Sequence, residues 1–520
     1  MKRESHEGTF AMVSLKQIEQ GIGGLLGSRG PDDPASVGIS LVTCDSREVV
    51  PGALFVAIRG FKSDGHRHID EAAASGALAI VCEEYPEECR PLVRYLLVDD
   101  ARSALADAAR IFYGDASGQL MIIGVTGTNG KTTTSRLITA MLNSAGIPAA
   151  YIGTGLCRIG GRDIPLERTT PEAHGLQALF RQMLDAGCRA VVMEVSSHAL
   201  VLRRVHGMRF RAAVYTNLTP EHLDFHESME QYAEAKRQLF GQLTEEGFGV
   251  VNADDPHAGF MVEGLPSDRL FCCSLEAAAP PCTPDRRVGA EISAMTVEGS
   301  RATIGFRGES LPVTVSLPGT FNVMNLLEAF AVGVGLGFEP SEALRGLSSA
   351  DAVEGRMERF WSPDRSRCAV VDYAHTPDAL QKALEALRAV TPDGSGLTVV
   401  FGCGGNRDRL KRPEMGRIAA DLADRVILTS DNPRDEDPEA ILDEIEAGMA
   451  GRAHLRVSDR AEAIRRAVDG LGDGDILLVA GKGHEKYQEV AGKKHYFSDQ
   501  DTLSSCLEKK GPAVDTKEHA

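Results

Sequence analysis

The run MIIGVTGTNGKTTTSRLITAMLNSAG, Met121 to Gly146, restricts the fold more than any other stretch of the chain. It opens on a short apolar segment, passes through a glycine-rich turn and continues with the spacing of a helix. A buried strand that ends in glycine and feeds a helix is the building unit of a parallel sheet with crossover helices. The same order recurs. RAVVMEVSS, AAVYTNL and FGVVNADD read as buried strands ending in polar or glycine residues, and HGLQALFRQMLDAG reads as a helix. It restarts with CAVVDYAH, LTVVFGCGG, RVILTSDNP and DILLVAGKG, each followed by a helical segment. Between the two blocks, Ala290 to Pro318 alternates in ISAMTVEG, RATIGFRG and LPVTVSL, which predicts antiparallel strands.

A chain of 520 residues is too long for one core. The pattern predicts an α/β protein of three domains. A small N-terminal α/β domain covers 1–118, with DSREVVPGALFVAIRG and LAIVCEE as its strand-rich parts. A central domain, 119–354, carries the phosphate-loop sheet and the added antiparallel strands. A C-terminal Rossmann-like domain covers 355–505, and 506–520 reads as a tail. VEGRMERF, Val353 to Phe360, is the expected hinge into the last domain.

Net charge is −18 and no block of positive charge stands out, which argues against a nucleic-acid or anionic-membrane surface. The 11 cysteines are scattered without a C-x-x-C pair, a pattern of reduced thiols rather than disulfides or a thiolate zinc site. No apolar run reaches the ~18 residues of a membrane span. MKRESHEGTFAMVSL lacks the apolar middle of a signal peptide, so a cytoplasmic protein is expected, with Met1 or Met12 as its start.

Phosphate chemistry is written most plainly in GVTGTNGKTTT, Gly124 to Thr134. Glycines let backbone N–H groups close on phosphate oxygens, a helix N-terminus favours anions, and Lys131 has the reach for the terminal phosphates. Thr132 offers a hydroxyl to Mg²⁺. Val125 stands where the first glycine of a strict G-x4-G-K-[ST] motif belongs, so the loop is a variant. MEVSSH and NLTPEHLDFH also end apolar strands, which makes Glu194 and His222 candidates for a hard cation, although histidine is unusual for Mg²⁺ and either residue alone reads more often as a packing or surface group.

SMEQYAEAKRQLF places Lys236 on a helix beside an apolar stripe of Met229, Tyr232, Leu239 and Phe240, where a lysine by itself reads as a solvated flank. DYAHTPDAL, FGCGGNRDRLKRPEMG and AGKGHEKYQ each close a strand of the second block and together predict a polar cleft. VILTSDNPRDEDP sets one arginine, Arg434, among four acids. Either Arg434 pairs with Asp435 or Glu436 in water, or it waits for a carboxylate that the chain does not supply.

In this order, DSR, GTNGKTT, TTPE, EVSSH, HLDFH, YAEAK, DYAHTPD, GCGGNRD, DNPR and GKGHE resemble the Mur ligase family of cytoplasmic peptidoglycan synthesis over nearly the whole chain, from Asp45 to Glu485. The resemblance implies an ATP-dependent amide-bond ligase working through an acyl phosphate. Gly127, Thr128, Asn129, Gly130, Lys131, Thr132 and Thr133 would hold ATP. Thr132 and Glu194 would bind one Mg²⁺, with His222 near a second, and Lys236 would take up CO₂ as a metal-binding carbamate. Asn325 and His375 match nucleotide contacts, and Arg356 sits where the last domain hinges over ATP.

The UDP-MurNAc-L-Ala-D-Glu acceptor would meet Ser46, Phe61, Lys62 and Ser63 on its uridine side. Thr169, Thr170, Ser196 and Arg204 match groups around its muramoyl peptide. DNPR marks the branch that adds meso-diaminopimelate rather than lysine. By that resemblance Arg434 holds the distal carboxylate, Asp431 and Asn432 take its ammonium, and Pro433, Arg407, Gly481 and Glu485 complete the pocket; a bidentate guanidinium suits a carboxylate as an ammonium does not. A monomer is expected. Leu202 departs from a family glutamine, and Arg168 from a smaller polar residue.

Two other functions share part of this pattern. Folylpolyglutamate synthetases carry the same phosphate loop, but the DSR region and the DNPR turn speak against them. A nucleotide-controlled switch would not need Lys131, Glu194, His222 and Lys236 together.

Overall fold

The computed structural model describes residues 13–31, 38–60, 63–276, 282–348, 350 and 353–509. Phe61, Lys62, Met1, Met12 and the chain beyond Lys509 lie outside the described residues. By contacts the chain forms two compact units: Met1–Thr126 with Ile147–Ala213 and Ala235–Gly247, and Gly127–Gly146 with Val214–Glu234 and Phe248–Ala520.

In the first unit, a five-stranded sheet runs in the order Leu25–Arg29, Arg94–Val98, Ala79–Cys82, Ala53–Val56, Leu41–Thr43. The last four strands are parallel, and the edge strand Leu25–Arg29 is antiparallel. Helix Ala101–Phe112 is capped by Asp100, whose carboxylate accepts from the Arg102 N–H. Its alanine-rich face buries Ala104, Leu105 and Ala108 with Val42, Leu54, Val81 and Leu96. The strand read from MIIGV, Met121–Thr126, lies parallel to Ala190–Glu194, which lies parallel to Ala149–Gly153.

The second unit holds the glycine-rich loop and the helix Lys131–Ser144, packed on helices Thr320–Gly335 and Pro340–Ser348. Gly299–Phe306 forms the expected antiparallel pairing, with Arg287–Thr296 on one side and Glu309–Val315 on the other. On its other side Arg287–Thr296 runs parallel to Leu270–Ser274.

A six-stranded sheet follows in the order Glu358–Trp361, Cys368–Asp372, Ile476–Ala480, Leu397–Phe401, Arg425–Leu428, Leu455–Arg456. All but the first strand run parallel. DYAHTPD, GKGHE, GCGGNRD and DNPR therefore emerge together at the carboxyl ends of its neighbouring strands.

Three sequence expectations change. The helix carrying Lys236 is Met229–Arg237, so Leu239 and Phe240 lie beyond it, Phe240 in a 3-10 turn. Residues 358–360 of the expected hinge belong to the edge strand Glu358–Trp361. Helix Asp499–Lys509 takes in residues 506–509, assigned above to a tail, because Leu503 and Leu507, one turn apart, are buried against Val371, Val400 and Leu477. No helix among the described residues is long and apolar enough to cross a membrane.

Candidate active site

The phosphate loop is built around a backbone that only glycine tolerates. Gly130 caps helix Lys131–Ser144 at φ +87°, and a Cβ there would stand 2.5 Å from Asn325 Oδ1. No side chain caps the helix at Gly130, and a helix N-terminus favours an anion. Lys131 Nζ donates to the carbonyls of Gly127 and Thr128 at 3.0 and 2.7 Å, which keeps the ammonium over the loop. The loop is braced from the side: Asn129 N–H donates to Asn217 Oδ1 at 2.9 Å, and Thr128 Oγ1 lies 3.2 Å from Tyr232 Oη.

Residues far along the chain complete this neighbourhood. Arg356 Nη2 donates to Thr132 Oγ1 at 3.0 Å, and its guanidinium stacks over the Tyr373 ring. Asp372 holds the bend beside it, accepting from the N–H groups of Met357 and Ala374 at 2.8 Å each. Burial raises the Asp372 carboxyl, an effect opposed by Arg356 and these two N–H donors. Asn129 Nδ2 donates to Asp378 Oδ2 at 2.8 Å.

His375 Nδ1 donates to the Tyr373 carbonyl at 2.8 Å, and Nε2 faces the Glu221 carboxylate at 3.3 Å. Burial works to raise the Glu221 carboxyl, but hydrogen bonding from His375 and the nearby charges of His222, His375 and Lys131 hold it well below the ordinary range. His222 itself is exposed, at φ +58°, with Nε2 3.8 Å from Glu221. Beneath the loop helix, Thr134 Oγ1 donates to Glu328 Oε2 at 2.9 Å, and burial pushes that carboxyl up to about 8.

In the first unit, Glu194 is fully buried and accepts from Tyr151 Oη at 2.5 Å, Thr154 N–H at 3.2 Å and Thr154 Oγ1 at 3.1 Å. Thr169 joins the same group, 3.1 Å from Thr154 Oγ1. Thr170 Oγ1 donates to the Glu194 carbonyl, and Ser196 N–H donates to Thr170 Oγ1. Arg204 Nη1 donates to the Thr170 carbonyl and Nε pairs with Glu172 at 3.0 Å. Arg168 also pairs with Glu172, at 2.6 Å, and Arg102 lies 3.9 Å from it, so Arg168 is the third guanidinium on one carboxylate.

Thr169, Thr170, Glu194, Ser196 and Arg204 thus form one connected cluster. Ser46 and Ser63 stand apart from it in these contacts, donating to Glu71 and lying 3.4 Å from His68. Lys236 is 1% exposed, which overturns its reading as a solvated flank: its helix turns Tyr232, Ala233, Ala235 and Lys236 inward together.

At the carboxyl ends of the six-stranded sheet, Asp431 and Asn432 are buried. Asn432 Nδ2 donates to Glu485 Oε2 at 2.9 Å, while Asn432 Oδ1 accepts from Lys482 Nζ at 3.0 Å and from Glu489 N–H at 2.9 Å. Arg434 adopts φ +52°, donates from Nη1 to the Gly405 carbonyl at 2.7 Å, and pairs through Nε with Glu489 at 3.3 Å. Gly405 is required here, since a Cβ would lie 1.9 Å from the Pro433 carbonyl oxygen. A Cβ on Gly481 would lie 2.6 Å from Asp431 Oδ2. Arg407 is exposed beside Gly404.

The neighbouring acids have other tasks. Glu436 binds buried Arg412 at 2.9 Å, a hydrogen-bonded pairing that holds its carboxyl at about 2, and Asp437 caps helix Pro438–Glu446. Among the described residues Arg434 pairs with neither Asp435 nor Glu436; the carboxylate beside it is that of Glu489, so the expectation of a carboxylate that the chain does not supply is corrected as well.

Comparison with known proteins then decides the family. Three family descriptions match in succession: "Mur ligase family, catalytic domain" over 38–113, "Mur ligase middle domain" over 125–333, and "Mur ligase, glutamate ligase domain" over 355–483. The chain belongs to the Mur ligase family. A relative from Chlorobaculum tepidum, named UDP-N-acetylmuramoyl-L-alanyl-D-glutamate–2,6-diaminopimelate ligase, is 68% identical over 505 residues, covering 97% of this chain and 99% of the relative. A solved structure of a ligase with that name is 33% identical, with TM-score 0.66 and coverage of 96% of this chain and 99% of the other. Thermotoga maritima MurF, solved in complex with ADP, shares the fold at 20% identity and TM-score 0.60, with coverage of 90% and 97%.

As a Mur ligase the chain has three family domains. Among the described residues no cluster of three or more His, Cys, Asp or Glu is assembled for a metal. Sequence reasoning missed Glu221, Asp378, Lys482 and Glu489. Lys482 could have been found inside GKGHE. Glu489 carries no motif, since only the folding of hairpin Tyr487–Val490 and Lys493–Tyr496 onto the DNPR turn brings it there.

Proposed function

We propose that this Mur ligase adds meso-2,6-diaminopimelate to UDP-MurNAc-L-Ala-D-Glu in peptidoglycan synthesis, at the expense of ATP. The acceptor's free carboxylate attacks the γ-phosphorus and ADP leaves. The amine then attacks the acyl carbon, and phosphate leaves with the release of a proton. The physical obstacle is the approach of two anions. Lys131 and the N-terminal N–H groups of helix Lys131–Ser144 neutralise the phosphates, with Gly127 to Thr133, Asn325, His375 and Arg356 positioning the nucleotide.

Mg²⁺, when bound, supplies further neutralisation at the phosphates, through Thr132, Glu194, His222 and a CO₂-derived carbamate on Lys236. A buried lysine flanked by apolar residues supports that last role better than a solvated one. Ser46, Ser63 and the Phe61–Lys62 pair are assigned to the uridine end of the acceptor, and the Thr169, Thr170, Ser196 and Arg204 cluster to its peptide.

The donor assignment is carried by Arg434: a guanidinium fixed at the carboxyl end of the sheet while Glu436 pairs with Arg412 and Asp437 caps a helix. Asp431, Asn432, Arg407, Gly481 and Glu485 are assigned to the rest of that pocket. We further assign domains to 1–118, 119–354 and 355–505, with the closing helix extending the last to Lys509, in a cytoplasmic monomer. The test supplies acceptor, ATP and Mg²⁺ with either diaminopimelate or L-lysine and follows ADP release. Faster turnover with diaminopimelate is expected; equal or faster turnover with lysine overturns the donor.

A further inference from the structure

Glu489 stands in an unusual relation to Arg434. Its backbone is clamped to the DNPR turn on both sides: the Glu489 N–H donates to Asn432 Oδ1 at 2.9 Å, and its carbonyl accepts from the Arg434 N–H at 3.0 Å. The Ala491 N–H donates to the Arg434 carbonyl at 2.7 Å, closing a short parallel bridge between Arg434 and Val490. These bonds fix where the Glu489 side chain begins. Its carboxylate reaches the Nε edge of the guanidinium at 3.3 Å, while Nη1 is held by the Gly405 carbonyl.

The two side chains are 22% and 26% exposed, so the pair is open to exchange with a solute. A guanidinium that meets a carboxylate side-on uses the same N–H edge whichever molecule supplies it. An incoming amino acid with a second carboxylate can replace one ion pair with another. One that lacks it has nothing to exchange, and Arg434 keeps its internal partner.

We propose that Glu489 is a specificity-determining residue, an internal carboxylate that competes with the amino-acid substrate's distal carboxylate for Arg434. This rests on the assignment of Arg434 given above. The competitor weakens substrate binding slightly, and in return Arg434 does not stand open to every small anion.

The experiment measures KM for diaminopimelate, KM for ATP and kcat in the full-length enzyme with Glu489→Gln, Glu489→Ala, Arg434→Ala and the Glu489→Gln/Arg434→Ala pair. A partly exposed ion pair contributes little, so removing the competitor should lower KM for diaminopimelate by roughly two- to five-fold. KM for ATP and kcat should not move, and raising ionic strength should narrow the gap. In the Arg434→Ala background the Glu489 change should have no effect on that KM. An unchanged or raised KM in both single Glu489 variants overturns the proposal, a raised one meaning that Glu489 contacts the substrate ammonium instead. If Arg434→Ala leaves KM for diaminopimelate unchanged, the assignment of Arg434 fails and the competitor role falls with it. If Arg434→Ala raises KM while the Glu489 variants do not lower it, the competitor role alone fails.

Discussion

Arg356 and Thr132 lie far apart in the chain and meet through one hydrogen bond, Nη2 to Oγ1 at 3.0 Å. The contact ties the segment entering the six-stranded sheet to the first turn of the phosphate-loop helix. A hydrogen bond from a charged donor contributes about 1.5–3 kcal/mol, or on the order of ten- to a hundred-fold in binding. Arg356→Ala should therefore raise KM for ATP by roughly that factor, with KM for diaminopimelate changed less than about two-fold; steady-state kinetics with each substrate varied in turn decides it. Equal increases in both would show a general loss of structure.

Arg434→Lys keeps the charge and removes the planar fork. Because an ammonium cannot make two parallel bonds to a carboxylate, KM for diaminopimelate should rise by about ten-fold or more while KM for ATP stays put. A value unchanged within error would make this arginine a structural group of the turn.

Glu328 gives a pH signature of stability. Burial raises its carboxyl from 4.5 to about 8. Between those values the folded protein keeps a proton that the unfolded chain has lost, so this group makes stability fall as pH rises through that window and level off above it. Tyr215 and Cys273, the titratable groups that sense its charge, are both raised by burial and stay neutral there. Glu328→Gln, which cannot ionise, should gain on the parent at pH 8 and match it near pH 5. Urea midpoints at both pH values measure this, and a constant difference would contradict it.

Lys236 should report directly on CO₂. With ¹³C-bicarbonate the parent enzyme should show a carbamate carbonyl resonance that Lys236→Ala lacks, and the variant should lose at least about a hundred-fold in kcat, as expected when a group that stabilises transition-state charge is removed. A parent spectrum without that resonance would remove the carbamate from the mechanism.

Much of the frame was legible beforehand. The short apolar runs became the parallel strands Met121–Thr126, Ala190–Glu194, Cys368–Asp372, Leu397–Phe401, Arg425–Leu428 and Ile476–Ala480, because period and length report burial directly. Lys236 shows where that reasoning stops. An apolar stripe identifies the buried side of a helix, but how wide a sector is covered depends on what packs against it, and here the covered sector includes the lysine.

By itself the sequence determined which segments are strands and helices, where the glycine-rich turn must stand, and that the motifs rich in glycine and charge leave the ends of strands. These follow from local periodicity and from the steric freedom of glycine at Gly130. Only the tertiary structure decided the partners: Arg434 with Glu489, Asn129 with Asp378, Glu221 with His375. Electrostatic pairing acts across a few ångströms of space, and the segments that come within that range are chosen by how sheets and hairpins fold over one another, which no spacing along the chain records.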